Sequence, residues 1–169
     1  MRFFFDNNLS TKLAKSLHLL VEPEHQVVHL KERFAANTPD ETWMAALAGE
    51  PDWIIVSGDL RIRKNPHEIH AWEAAGHTTF FLKAGWINLP SWTQTWKLVK
   101  CFPDIVATAG RAKKGTFFMV STMGKVEKYR HAFDSFVASQ AHIVTWLRRR
   151  HHNFMTQTLE GAKRVRAAR

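Results

Sequence analysis

Short, uninterrupted apolar runs alternate along this chain with segments whose apolar positions recur every three or four residues. Residues 2–5 (Arg-Phe-Phe-Phe) read as a first strand, and Leu9, Leu13, Leu17 and Leu20 then recur at helical spacing. Residues 26–30 (Gln-Val-Val-His-Leu) read as a second strand and 39–48 as a helix. Residues 53–57 (Trp-Ile-Ile-Val-Ser) form a third strand bounded by Gly49, Pro51 and Gly58. This third strand has no polar alternation, which predicts a central position covered on both faces. Pro66 to Ala75 predicts a helix closed by Gly76, and His77 to Leu82 a further strand. The alternation is that of βαβ units around a mostly parallel sheet, so the fold class is α/β.

Beyond this body, Leu89 to Phe102 places Trp92, Trp96 and Val99 at spacings of four and three, which predicts an amphipathic helix with Pro90 in its first turn. Residues 117–121 and 126–129, separated by a segment containing Gly124, predict a hairpin. Arg130 to Arg150 predicts a last helix with Phe133, Phe136 or Val137, Ile143 and Leu147 on its apolar side. The organisation expected is a domain over 1–130 followed by a C-terminal helix and basic tail over 131–169. No internal repeat is present.

Composition narrows the class. A length of 169 residues and an apolar content of 45% suffice for one domain with a core and an appendage. The single cysteine, Cys101, excludes an internal disulfide framework. The apolar run Phe3–Phe5 stops at Asp6, too short for a signal peptide or a membrane span, so a cytoplasmic protein with no membrane partner is expected. The net charge of +9 is unevenly placed: from Arg148 to the end, seven Lys/Arg face Glu160 alone. Such a tail can bind phosphates by counterion release or dock on an acidic protein, and a simply solvated basic end explains it equally well.

The chemistry concentrates in three acids. Asp6 follows the first strand directly and Asp59 follows the third after Ser57-Gly58. If the strands are parallel, both carboxylates leave the same sheet edge, where open α/β folds place ligands. Asp6 could cap the helix near Leu9, but Asn8 and Ser10 are available for that role, which leaves Asp6 for function. Asp59 precedes Arg61, Arg63 and Lys64, whose charge can balance it, and a surface turn with a weak ion pair is the alternative. In Thr38-Pro39-Asp40-Glu41, Thr38 and Glu41 have capping-box spacing, which gives Glu41 a structural role. Asp40 is less fully explained, although an acid at the positive end of a helix dipole is ordinary. Three such carboxylates together resist ionisation unless a cation lies between them, and oxygen-only ligation suits Mg²⁺ or Mn²⁺ rather than zinc.

Phe5-Asp6-Asn7-Asn8-Leu9-Ser10, Thr38-Pro39-Asp40-Glu41-Thr42-Trp43 and Val56-Ser57-Gly58-Asp59, in that order and spacing, resemble the PIN-like nuclease domains related to VapC toxins of bacterial toxin–antitoxin systems. The resemblance covers about the first 85 residues of the sequence. It implies an α/β/α sandwich whose acidic cluster, Asp6, Asp40 and Asp59, binds Mg²⁺ or Mn²⁺ and cuts RNA. It also implies a metal-dependent endoribonuclease, the toxin half of a pair, with an antitoxin or a second copy of the chain as protein partner. Asn7, Asn8, Arg61, Arg63, Lys64 and His67 would support the site and contact the RNA backbone. The chain departs from the family pattern just after Asp59, where a fourth acid is usual and Arg61, Arg63, Lys64 and Asn65 stand instead; Glu41 or Glu68 would substitute. That departure keeps a second reading open, a PIN-like module that binds nucleic acid or a partner without turnover.

Other features carry less. His67-Glu68-Ile69-His70 spaces its histidines three apart and lacks a third zinc ligand. Cys101, in apolar surroundings, reads as an inert thiol. Gly110 and Gly115 lack the strand-turn-helix context of a phosphate loop. Of the seven tryptophans, Trp53 and Trp72 sit in core-like patterns, and Trp86, between Gly85 and Ile87, is the best candidate for an exposed ring stacking on bases, although core burial is the reading favoured overall.

Overall fold

Every second residue of a strand faces the same side of a sheet, and in this chain both sides are apolar. In the computed structural model, which describes residues 1–50, 52–59 and 72–129, strand β1 (Arg2–Phe5) points Phe3 and Phe5 into one core and Phe4 into another. Strand β3 (Trp53–Ser57) is buried at all five positions and divides Ile54 and Val56 from Trp53 and Ile55 in the same way. A strand without polar alternation is stable only when helices cover both its faces, and this one has them.

The sheet has six strands in the order β2-β1-β3-β4-β5-β6, where β2 is Gln26–His29, β4 Thr78–Leu82, β5 Phe117–Val120 and β6 Val126–Lys128. The first five are mutually parallel; β6 returns antiparallel to β5 as the expected hairpin. Helices α1 (Thr11–Val21) and α3 (Ser91–Arg111) cover one face, where Leu13, Leu17, Leu98, Phe102 and Ile105 pack on Phe3, Phe5 and Phe80. Helix α2 (Asp40–Ala48) and helical residues 72–75 cover the other, with Trp43, Met44, Leu47 and Trp72 against Phe4, Ile55 and Phe81. The result is a mostly parallel α/β sheet between helical layers, as the alternation predicts. Met1–Tyr129 forms one unit; the helix predicted over Arg130–Arg150 and the basic tail lie outside the described residues, as do most of the helix predicted from Pro66 and residues 61, 63, 64, 67 and 68.

One local expectation holds and others are corrected. The α1 N-cap is Ser10, whose Oγ accepts from Lys12 N at 3.2 Å, so Asp6 is released from capping. No capping box opens α2: Pro39 takes the N-cap position and no side chain makes the cap bond there. Helix α3 does not stop at Phe102 but runs through Pro103 to Arg111. The proline removes one backbone donor, a loss outweighed by burial of Leu98, Phe102 and Ile105 on the sheet. Its apolar stripe is these residues with Cys101, whereas Trp92 and Trp96 face outward. Among the described residues no helix is long and apolar enough to cross a membrane.

Candidate active site

Parallel register puts the ends of β1 and β3 side by side, with Phe5 opposite Val56. The ladder continues one step further, Asp6 N donating to Val56 O at 3.2 Å, so the chain leaves β1 with Asp6 beside Ser57 at the carboxyl edge of the sheet. The Asp6 side chain is only 4% exposed and accepts from four donors. Ser57 Oγ donates to Oδ2 at 2.5 Å and Asn8 N to Oδ1 at 3.0 Å; longer contacts come from Asn8 Nδ2 to Oδ2 and Gly58 N to Oδ1, both at 3.4 Å. All four donors are neutral. Burial therefore dominates, and the carboxyl is pushed up from 3.8 to about 6 although each hydrogen bond pulls it down.

Ser57 ties the second acid to the first. While its hydroxyl donates to Asp6, its oxygen accepts from Asp59 N at 3.0 Å, which fixes the backbone from which Asp59, 7% exposed, projects. Between them Gly58 passes so close to the β1–α1 loop that a Cβ there would lie 3.1 Å from Asn8 Cβ and 3.4 Å from Leu9 Cδ2. That approach, rather than an unusual φ, is what the glycine permits. Behind the loop, buried His29 donates from Nε2 to Leu9 O at 2.8 Å while its Nδ1 accepts from Lys31 N at 3.0 Å. Burial lowers its pKa, so the ring is a neutral strut.

Asp6 and Asp59 are thus brought together as the two-strand argument predicts. Asp40 is not joined to them in a three-ligand group: among the described residues no three His, Cys, Asp or Glu side chains are placed to share an ion. Asp40 is exposed in the first turn of α2, and its Oδ1 accepts from Trp43 Nε1 at 3.0 Å. The topology does bring it to the same rim, because α2 starts after the chain has left the carboxyl end of β2. Asn8 supports Asp6 directly, whereas Asn7 donates to Ala36 O at 2.9 Å and links the β1–α1 loop to the segment before α2. Arg61, Arg63, Lys64, His67 and Glu68 lie outside the described residues. The residue that sequence reasoning passed over is Ser57. Its signal was there to be used: a hydroxyl ending an otherwise apolar strand, between two acids.

A family model for the PIN-like domain matches residues 1–84. Residues 1–84 belong to the PIN-like family. No curated protein and no solved structure matches the chain. The PIN-like segment carries β1 to β4 and both buried acids, and α3, β5 and β6 extend its sheet. This is a nuclease-type fold, and the two acids stand at the carboxyl edge of its sheet, the edge at which open α/β folds place ligands. The donor set suits a hard divalent ion: two carboxylates, with no sulfur or nitrogen ligand grouped with them among the described residues. Mg²⁺ is commonly held by one or two carboxylates and completes its shell with water and substrate phosphate.

Proposed function

We propose that this protein is a metal-dependent endoribonuclease that hydrolyses RNA phosphodiester bonds. The observation carrying the reading is the Asp6–Ser57–Asp59 link, two buried acids joined through one hydroxyl at the carboxyl edge of a PIN-like sheet. Asp6 and Asp59 would hold Mg²⁺ or Mn²⁺, with Asp40 on the same rim as a third acid. When bound, the ion supplies Lewis-acid chemistry, activating water and balancing charge on the phosphoryl group. The chain's own residues do the positioning. Ser57 and Asn8 hold the Asp6 carboxylate in one orientation, Gly58 lets the two loops close on each other, and His29 braces Leu9 from behind. The cations that follow Asp59 in sequence, Arg61, Arg63 and Lys64, are suited to phosphate contacts. The ordered motifs shared with VapC-related domains support the toxin half of a toxin–antitoxin pair as its biological setting.

Cleavage of a fluorescent single-stranded RNA by the purified full chain, with Mg²⁺, Mn²⁺ or EDTA, tests the reading. Cleavage that requires metal and disappears in Asp6→Asn and Asp59→Asn, with the fold retained, is the expected result. Cleavage that persists in EDTA or in the double variant overturns it. RNA binding without turnover under any condition transfers the function to a non-catalytic binding module.

A further inference from the structure

The carboxyl edge that holds the acid pair continues across the sheet. Ser57 of β3 is opposite Phe81 of β4, and Phe81 is opposite Met119 of β5, so the turn after Val120 opens on the same edge as Asp6 and Asp59. Helix α3 also starts there, after the chain has left β4 through a 3-10 turn at Ala84–Trp86. Its first turns meet the β5–β6 turn: Lys97 Nζ donates to Thr122 O at 3.1 Å, and Gly124 lies against Cys101 so closely that a Cβ would sit 3.1 Å from the cysteine Cβ.

This corner carries the exposed aromatics of the described chain. Trp92 is 78% and Trp96 43% exposed, and Met123 across the gap is 87% exposed. Spacings of four put Trp92, Trp96 and Lys100 in one outward stripe of α3. The buried stripe of Leu98, Cys101, Phe102 and Ile105 already satisfies the helix's packing, so the core does not account for the tryptophans. Lys97 Nζ lies 5.0 Å from the Trp96 ring centroid, and Lys100 is exposed beside it. Between α3 and the turn is a cavity of about 230 Å³ whose lining includes Trp96, Lys97, Lys100, Thr122 and Met123, with Asp104 further along α3 setting one acid against the two lysines. Exposed rings interleaved with lysines, one of them set over the Trp96 ring, form a surface for unpaired bases and the phosphates between them; an aliphatic protein partner would not call for the charges.

We propose that Trp92, Trp96, Lys97 and Lys100 form a track for single-stranded RNA that leads to or from the acid pair. The inference rests on the ribonuclease reading and adds to it a preference for unpaired substrate. Three inter-strand spacings separate β1 from β5, roughly 14 Å, or about four nucleotides at the rise of a stacked strand. A strand held at the acid pair and running along this edge would reach the start of α3, where its flanking bases would meet the tryptophans.

The test is fluorescence anisotropy with labelled oligouridylate and with a blunt RNA duplex. It uses the full chain carrying Asp6→Asn to prevent cleavage, with and without Trp92→Ala plus Trp96→Ala. Stacking predicts about tenfold or greater loss of single-strand affinity for each base released, no comparable loss for duplex, and retention by Trp→Phe at the same positions. Both rings are exposed, so the variants should melt like the parent, which circular dichroism checks. Unchanged single-strand affinity, or equal weakening for duplex, overturns the track. If instead the alanine variant changes only self-association in sedimentation, the patch is a protein interface and the proposal is wrong. The two readings fail differently. Absence of metal-dependent cleavage alongside tryptophan-dependent binding removes the nuclease and leaves the track; wild-type cleavage and binding by the tryptophan variant removes the track and leaves the nuclease.

Discussion

Replacing Asp6 by asparagine should make the metal-free protein more stable at neutral pH while removing its proposed activity. In the folded chain the carboxyl titrates near 6, against 3.8 when unburied, because burial at 4% exposure outweighs four neutral hydrogen-bond donors. A group whose folded pKa is raised contributes stability that is fully present below pH 3.8 and lost as pH rises to about 6. Above that, ionised Asp6 costs about 3 kcal/mol, taking about 1.4 kcal/mol for each tenfold change in proton affinity. Asparagine keeps the size and Oδ1, which still accepts from Asn8 N and Gly58 N. Its Nδ2 replaces the acceptor of Ser57 Oγ and Asn8 Nδ2, so the serine hydroxyl must turn and the Asn8 amide flip, at about 1 kcal/mol.

The net gain for Asp6→Asn is then about 2 kcal/mol in EDTA at about pH 7.5, or a Tm higher by on the order of 5–10 °C for a domain of this size. It should shrink to nothing near pH 4, where wild-type Asp6 carries its proton. Melts followed by circular dichroism across that range, in EDTA and then in Mg²⁺ or Mn²⁺, supply the assay. Metal at about a hundred times its Kd should raise wild-type stability by about 2.7 kcal/mol and the variant by clearly less. An asparagine variant that is less stable than wild type at neutral pH in EDTA, or whose advantage is the same at every pH, refutes the burial argument.

Ser57→Ala removes the donor to Asp6 and the acceptor of Asp59 N together; it should cost about 1–3 kcal/mol in urea unfolding and move the Asp6 transition, read as the pH dependence of that stability, above its present position. Gly124 sits at φ +86° against Cys101, so Gly124→Ala should destabilise by about 1–2 kcal/mol in the same assay and loosen the turn that faces Trp96, whereas an alanine tolerated without loss would contradict the strain assigned there.

The positions of the two buried acids were legible because an acid ending a wholly apolar strand has few places to go. In a parallel sheet, two such acids meet. What the sequence could not convey were contacts made across long separations. Trp86, flanked by Gly85 and Ile87, has the local context of an exposed turn, yet it is fully buried and its Nε1 donates to Val120 O at 3.0 Å. The ring fills the core beneath the turn, and the outward positions pass to Trp92 and Trp96. Likewise Thr38 and Glu41 have the spacing of a capping box, but Pro39 becomes the cap and Asp40 is engaged by Trp43, whose ring stacks on Phe4 with centroids 5.1 Å apart. Core packing of Trp43, not local propensity, sets how α2 begins.

The energetics of Asp6 also separate a structural from a chemical use of that position. A carboxylate whose sole purpose was to join the β1–α1 loop to the end of β3 would be a poor solution, since asparagine can accept from both loops without a charge to desolvate. The four donors converge on Asp6 without a cation among them, and they leave its ionisation about 3 kcal/mol harder than in the unfolded chain. An arrangement that orients a carboxylate and isolates it from water, with only neutral donors to it among the described residues, is what the proposed ion-binding role would need. Asp59, whose backbone N is tied to Asp6 by two hydrogen bonds through Ser57, would contribute the second carboxylate in the proposed site. If the proposed metal is what makes the pair favourable, metal affinity and the stability deficit of the metal-free chain have one origin and should fall together in Asp6→Asn.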